Sequence, residues 1–271
     1  MLPGYAAPGR PALAASRVRV GKSNEKAERI VTIPEAEPSH GADREDQVRT
    51  LFSEIAPRYD LLNHVLSLNI DRVWRRLAVD RLGWKAEPSG RFLDACTGTF
   101  DLALELSDRP DFCGQVIATD FASPMMVQGA RKIVSEPIRP VCGNSLALPF
   151  PDDSFDGAMV GFGVRNLADL EHGLSELHRV LKKDRVLVVL EFTLPPNSLV
   201  RAAYLLYFRR VLPFIGRIVS GHPWAYQYLP ESVGEFPLPD ELGLQFKKVG
   251  FSDVGWTLLT GGIAAIHWGR A

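Results

Sequence analysis

The sequence predicts an α/β fold, a mostly parallel sheet with helices on both faces. Three observations carry this. From residue 91 strand-like and helix-like segments alternate, one apolar run is continuous, and the first strand opens into a small-residue turn. Arg91–Cys96 reads as that first strand and Phe100–Leu106 as its helix. Gln115–Thr119, closed by Asp120, is the second strand, followed by a helix over Ser123–Val134. Arg139–Cys142 and Phe155–Gly161 supply the third and fourth, with a helix over Leu170–Leu181. Val186–Leu190 is the continuous apolar run expected of a doubly covered central strand. About 60 residues then pass before the next strand signal, far more than one crossover helix needs. Ser252–Trp256 and Gly262–Ile266 read as the last two strands.

Ahead of the sheet, Val48, Leu51, Phe52 and Ile55 recur at helical spacing and stop before Pro57. A second helix over Leu66–Leu82 carries Ile70, Val73, Trp74, Leu77 and Leu82 on its apolar side. Residues 1–42 are rich in Pro, Gly, Ala and charge without a sustained period; they read as a disordered extension to a domain spanning 43–271.

Composition narrows the function. The chain has 271 residues, 46% hydrophobic, with a net charge of -1. That suits one soluble domain and argues against nucleic acid, whose phosphates call for a basic surplus. Cys96, Cys113 and Cys142 lie far apart beside apolar stretches and read as buried, inert thiols in a reducing compartment. The six histidines form no metal-ligand motif. No apolar run approaches the ~20 residues of a membrane span. Pro3, Gly4, Pro8 and Pro11 break up any secretory core, while the acid-free, Arg- and Ala-bearing start leaves organelle targeting open.

The chemistry clusters at strand ends. The first strand finishes in Asp94-Ala-Cys-Thr-Gly-Thr-Phe-Asp101, a turn around Gly98 that lets backbone N–H groups approach a ligand. Asp120, at the end of strand two, is placed to accept hydrogen bonds from ribose hydroxyls. The G-x-G-x-x-G spacing of dinucleotide folds is absent. After strand three comes Gly143-Asn-Ser-Leu-Ala-Leu-Pro-Phe-Pro-Asp-Asp-Ser-Phe-Asp156, and Leu177–Lys182 precedes strand five. Together these resemble the class I methyltransferases. Four further motifs resemble the UbiE/MenG quinone C-methyltransferases: Phe52–Asn63, Leu66–Trp74, Gly161–Asn166 and Tyr226–Ser232. The likeness runs from about residue 47 to the C-terminus, and four motifs in the right order make it specific.

The resemblance implies a Rossmann-like, seven-stranded sheet whose last strand is antiparallel. It also implies C-methylation of the ring of a prenylated quinol, demethylmenaquinol or the ubiquinone-pathway benzoquinol, with S-adenosylmethionine as methyl donor. Its cofactor contacts fall on Thr99, Asp120, Asn144 and Ser145, with Gly161 at a further position that is often Ser. Gly98 and Asp94, in the same turn, complete the set. Phe100 departs from a small residue of the family's glycine turn and is expected either to crowd the ligand or to point into the core. Lys183-Asp184-Arg185 replaces a Pro-Gly-Gly turn.

The reaction needs an ionised quinol hydroxyl and a group facing the resulting anion. Arg165 and Asn166 sit at the right depth, and Tyr59 comes from the N-terminal motif that would cap the pocket. Arginine is too basic to accept a proton, so its expected role is quinolate stabilisation acting through an ordered water. The bland alternative for Arg165 is an ion pair with Asp60 or Asp156. His64, His172 and His178 are the other candidate bases, His178 reading as a surface residue.

The long insertion, residues 195–235, carries the tail. Within Arg201–Arg217, Tyr204, Leu205, Phe208 and Leu212 can line a tunnel for the prenyl chain, or the segment can lie on a membrane surface. The expected setting is cytoplasmic, peripheral to the inner face of the membrane, with a homodimer left open. The rival readings are a non-catalytic cofactor-binding scaffold in a quinone-biosynthesis complex, and a methyltransferase for a soluble small molecule.

Overall fold

The computed structural model describes residues 42–56, 67, 69–133, 137–207, 210 and 225–271, all within the unit Pro38–Ala271. The expectations for residues 1–41, Tyr59, Asp60, His64, Phe208 and Leu212 lie outside the described residues. The described elements run α1 (Ala42–Ile55), α2 (Ile70–Arg81), β1 (Arg91–Ala95), α3 (Asp101–Ser107), β2 (Gln115–Asp120), α4 (Ser123–Gly129) and β3 (Ile138–Cys142). They continue β4 (Gly157–Gly161), α5 (Leu170–Val180), β5 (Val186–Phe192), α6 (Ser198–Leu206), α7 (Ala225–Glu235), α8 (Pro239–Lys248), β6 (Ser252–Leu259) and β7 (Ala264–Arg270).

The seven strands lie in the order β3-β2-β1-β4-β5-β7-β6. β1 to β5 are parallel, and β7 runs antiparallel to both β5 and β6. Strand order reverses between β1 and β4, and the crevice at the carboxyl ends of such a pair is where open α/β sheets bind ligands.

Period-two alternation sends neighbouring residues to opposite faces. Phe92, Val188 and Leu190 join Trp74, Phe100 and Leu106 on one face. Leu93, Leu187 and Val189 join Phe155, Leu177 and Phe246 on the other. Both faces are therefore covered, which is why Val186–Leu190 shows no polar alternation.

Several boundaries differ from the sequence reading. Phe155 makes only an isolated bridge to Leu181, and β4 starts at Gly157. β7 begins at Ala264 because Gly261 and Gly262 adopt left-handed φ of 68° and 93° in the turn before it. Cys113 and Cys142 are exposed, contrary to expectation; Cys142 lies on edge strand β3, where no further strand covers it. Only Cys96 fits the inert reading, its thiol pushed up to about 12 chiefly by burial.

Helix α2 corrects the largest expectation. Ile70, Val73 and Leu77 are exposed, while Trp74, Ala78, Val79 and Leu82 face the core beside Asp71 and Arg75. The two charged residues tolerate that face because Arg75 pairs with Asp71 and reaches Asp101 at 3.1 Å. Apolar spacing alone cannot rank two stripes when the buried one carries a self-compensating ion pair.

Candidate active site

The crevice at the switch point is open to solvent and is lined by Arg75, Asp94, Cys96, Thr97, Gly98, Thr99, Asp101, Leu102, Gly161 and Phe162. β1 delivers Asp94, and the turn after it delivers the small residues. Gly98 has φ +56°, a left-handed conformation that a side chain rarely adopts. Its N–H donates to Asp120 Oδ2 at 2.8 Å, and Ala122 N–H donates to Oδ1 at 2.8 Å. Asp120 therefore shapes the turn, with Phe121 N–H as a third backbone donor acting on the same carboxylate. Burial raises its carboxyl above the usual range, and the Ala122 and Gly98 N–H groups oppose that.

Asp94 is 1% exposed. Its Oδ2 accepts from Thr97 Oγ1 at 2.5 Å and from Ala103 N–H at 3.1 Å. Its buried Oδ1 has no partner among the described residues. Burial pushes the Asp94 carboxyl up to about 7, the charges of Asp120 and Asp101 adding to the effect. A buried carboxyl with one orphan oxygen on the crevice wall suits a cationic ligand.

Thr99 and Ser145 are buried, and Ser145 Oγ lies 3.3 Å from Cys96 Sγ. Asn144 is half-buried with Oδ1 accepting from Leu146 N–H at 2.9 Å. Asp94, Gly98, Thr99 and Gly161 thus share one crevice, with Asp120 and Ser145 in contact with its walls.

The departures from the family pattern have local explanations. Phe100 is fully buried and its ring enters the core, so it does not crowd the crevice. Room for it comes from Gly129, where a Cβ would sit 2.7 Å from Phe100 Cδ2. A Cβ at Gly161 would meet Leu102 Cδ1 at 2.7 Å, so Leu102 takes the space a side chain there would need. Asp184 holds φ 62°, supplying the left-handed residue of the replaced turn.

Arg165 and Asn166 occupy the 3₁₀ turn Val164–Asn166 after β4. Arg165 is nearly buried and donates from Nη1 to Glu191 Oε1 at 2.6 Å and to Phe162 O at 2.7 Å. The Asp156 alternative falls away, since that carboxylate bonds Lys182 Nζ at 2.8 Å and Arg91 N–H at 2.9 Å. Burial raises the Glu191 carboxyl and the Arg165 charge holds it down. Asn166 Oδ1 accepts from Tyr228 Oη at 2.8 Å, which ties α7 to this turn. Tyr204 is buried close enough for both charges to act on its phenol, although burial dominates in raising its pKa. Leu205 is half-buried. His178 stacks edge-on against Phe251 at 4.8 Å and His172 is exposed, both on α5. Sequence reasoning misses Arg75 and Glu191, each visible only once strand or helix neighbours are known.

Fold and site together define a class I methyltransferase architecture. Structural likeness agrees: a possible histamine N-methyltransferase of Thermotoga maritima aligns with TM-score 0.57 at 19% identity, covering 82% of this chain and 98% of that one. The [4+2]-cyclase SpnF aligns with TM-score 0.62 at 16% identity, covering 83% and 96%. At such identities these fix the fold and leave the reaction open. The chain belongs to the ubiE/COQ5 methyltransferase family, which matches residues 41–271. It is 50% identical over 221 residues to a demethylmenaquinone methyltransferase of Thermus thermophilus, spanning 81% of this chain and 99% of that relative. A ubiquinone/menaquinone biosynthesis C-methyltransferase UbiE of Citrifermentans bemidjiense is 43% identical over 235 residues, 84% of this chain and 97% of its own.

Proposed function

We propose that this protein transfers the methyl group of S-adenosylmethionine to a ring carbon of a prenylated quinol, with demethylmenaquinol as the leading substrate. One observation carries the reading: the crevice lined by Asp94, with Asp120 bonded to its Gly98 wall, reaches Gly161 and Phe162, just before the turn that holds Arg165 and Asn166. Bound in that crevice, S-adenosylmethionine supplies a methyl that is already electrophilic. The residues need only hold its ends: Asp120 takes the ribose hydroxyls, Asn144 and Ser145 the adenine side, and Asp94 Oδ1 the cationic amino end. Thr99 and Gly98 form the floor. Orientation of two reactants in this way is worth ~7–11 kcal/mol of barrier.

On the other side of Phe162, Arg165 stabilises the ionised quinol oxygen through its N–H groups, and Asn166, held by Tyr228, orients the same oxygen. Tyr59, outside the described residues, keeps the capping role that its motif suggests. Tyr204, Leu205, Phe208 and Leu212 take the prenyl tail, and the enzyme meets its substrate at a membrane surface. Exposed Val73, Leu77, Leu199 and Leu206 support the surface reading, and no helix among the described residues is long and apolar enough to cross a membrane. The scaffold alternative loses its ground, because each departure that motivated it leaves the crevice open.

Methyl transfer to a naphthoquinol and a benzoquinol, assayed side by side, tests the reading. A kcat/KM at least about tenfold higher for the naphthoquinol is expected. Transfer to neither quinol contradicts it.

A further inference from the structure

We infer that Glu191 is a positioning residue for methyl transfer: its buried carboxylate grips Arg165 by both backbone and side chain and fixes the position and orientation of the guanidinium. The inference rests on the reading that Arg165 meets the quinol oxygen. Glu191 is the penultimate residue of β5, beside β4, and the pairing of Gly161 with Leu190 brings the two strand ends level. Its Oε1 accepts from Arg165 Nη1 at 2.6 Å and from Phe192 N–H at 2.9 Å, while Oε2 accepts from Arg165 N–H at 3.4 Å. The same Nη1 donates to Phe162 O at 2.7 Å, and the guanidinium carbon lies 5.6 Å from the Phe192 ring centroid.

Proton acceptance by Glu191 itself is a poor fit. The residue is 1% exposed, and both oxygens already hold protein donors. It acts through Arg165 instead. A lone buried guanidinium beside the Phe192 ring would carry a heavy desolvation cost and would have many rotamers. Paired to Glu191 it is neutralised and set in one orientation, with the donor geometry in place before an anion forms. A buried pair is seldom the most stabilising filling for such a space, as apolar residues of like volume often do as well. Its presence at a strand end facing the site therefore points to geometry.

Chemical rescue tests this. In Arg165→Ala the quinol kcat should fall roughly 100-fold, and added guanidinium ion should restore it saturably by about tenfold or more. In Arg165→Ala/Glu191→Gln the same ion should restore nothing, because the cradle is gone. S-adenosylmethionine affinity, followed by calorimetry, should stay near wild type in both. Equal rescue in the two backgrounds overturns the inference. If either Ala variant fails to fold, Glu191→Gln alone decides. A large fall in kcat with retained cofactor affinity supports positioning; an unchanged kcat with only a lowered Tm makes the pair structural and overturns it. A wild-type enzyme that methylates no quinol sinks the functional reading first, an outcome visible before any variant is compared.

Discussion

At the scale of single residues, the most informative group is Asp94. Its carboxyl stands at about 7 in the fold against 3.8 for an ordinary aspartate. A raised acid contributes stability that is complete below about 3.8 and is lost as pH rises to about 7. A cation placed at Oδ1 favours the ionised form, so cofactor binding should expel a proton below about pH 7, and affinity should climb with pH up to that point. Calorimetry between about pH 6 and about pH 8, in two buffers of different ionisation enthalpy, reads both effects. Asp94→Asn should flatten the pH dependence; a wild-type affinity that ignores pH would remove Asp94 from the cofactor site. Asp94, Gly98 and Asp120 were legible in the sequence because strand ends and tight turns leave local signals. Glu191 was not, since its partner lies 26 residues away and meets it only through the β4–β5 pairing.

At the scale of elements, α3 and α4 are locked together by the Phe100–Gly129 contact. A Cβ at Gly129 would sit 2.6 Å from Thr99 Cα, against backbone that cannot yield cheaply. Gly129→Ala should therefore cost about 1–3 kcal/mol of stability and weaken cofactor binding as well, because the Thr99 turn must shift. Normal cofactor affinity in that variant would mean that the turn and α4 move independently. The insertion makes a separate prediction. Leu205→Ser should raise KM for a long-tailed quinol and leave that for a tail-free analogue nearly unchanged, each buried methylene being worth ~0.8 kcal/mol. Leu199→Ser with Leu206→Ser should weaken co-sedimentation with anionic vesicles. Equal KM losses for both quinols would make α6 a supporting helix only. The first three strands were read to within a residue or so and the last two less closely, whereas α2 was rotated in part. Trp74 and Leu82 are buried as expected, but Ile70, Val73 and Leu77 are exposed, because the buried face also holds an ion pair that looks polar on paper.

At the scale of the whole molecule, two pairs of neighbouring strand ends become two half-sites under the proposed function. On that reading Asp94 and Asp120, at the ends of β1 and β2, meet a cationic donor, and Arg165, in the turn after β4 and paired to Glu191 of β5, meets an anionic acceptor. The parallel core was legible from alternation of segments, the antiparallel last strand from the resemblance, and the family from motifs outside the common core. The strand order and the pairing of Arg165 with Glu191 were not, because both depend on which strands become neighbours. The most direct test supplies demethylmenaquinol and S-adenosylmethionine carrying an isotopically labelled methyl to the purified protein, then locates the label in the product. The expected product carries the labelled methyl on a ring carbon of the naphthoquinol. Label on a quinol oxygen, or no labelled product while the protein still binds S-adenosylmethionine, would contradict the account.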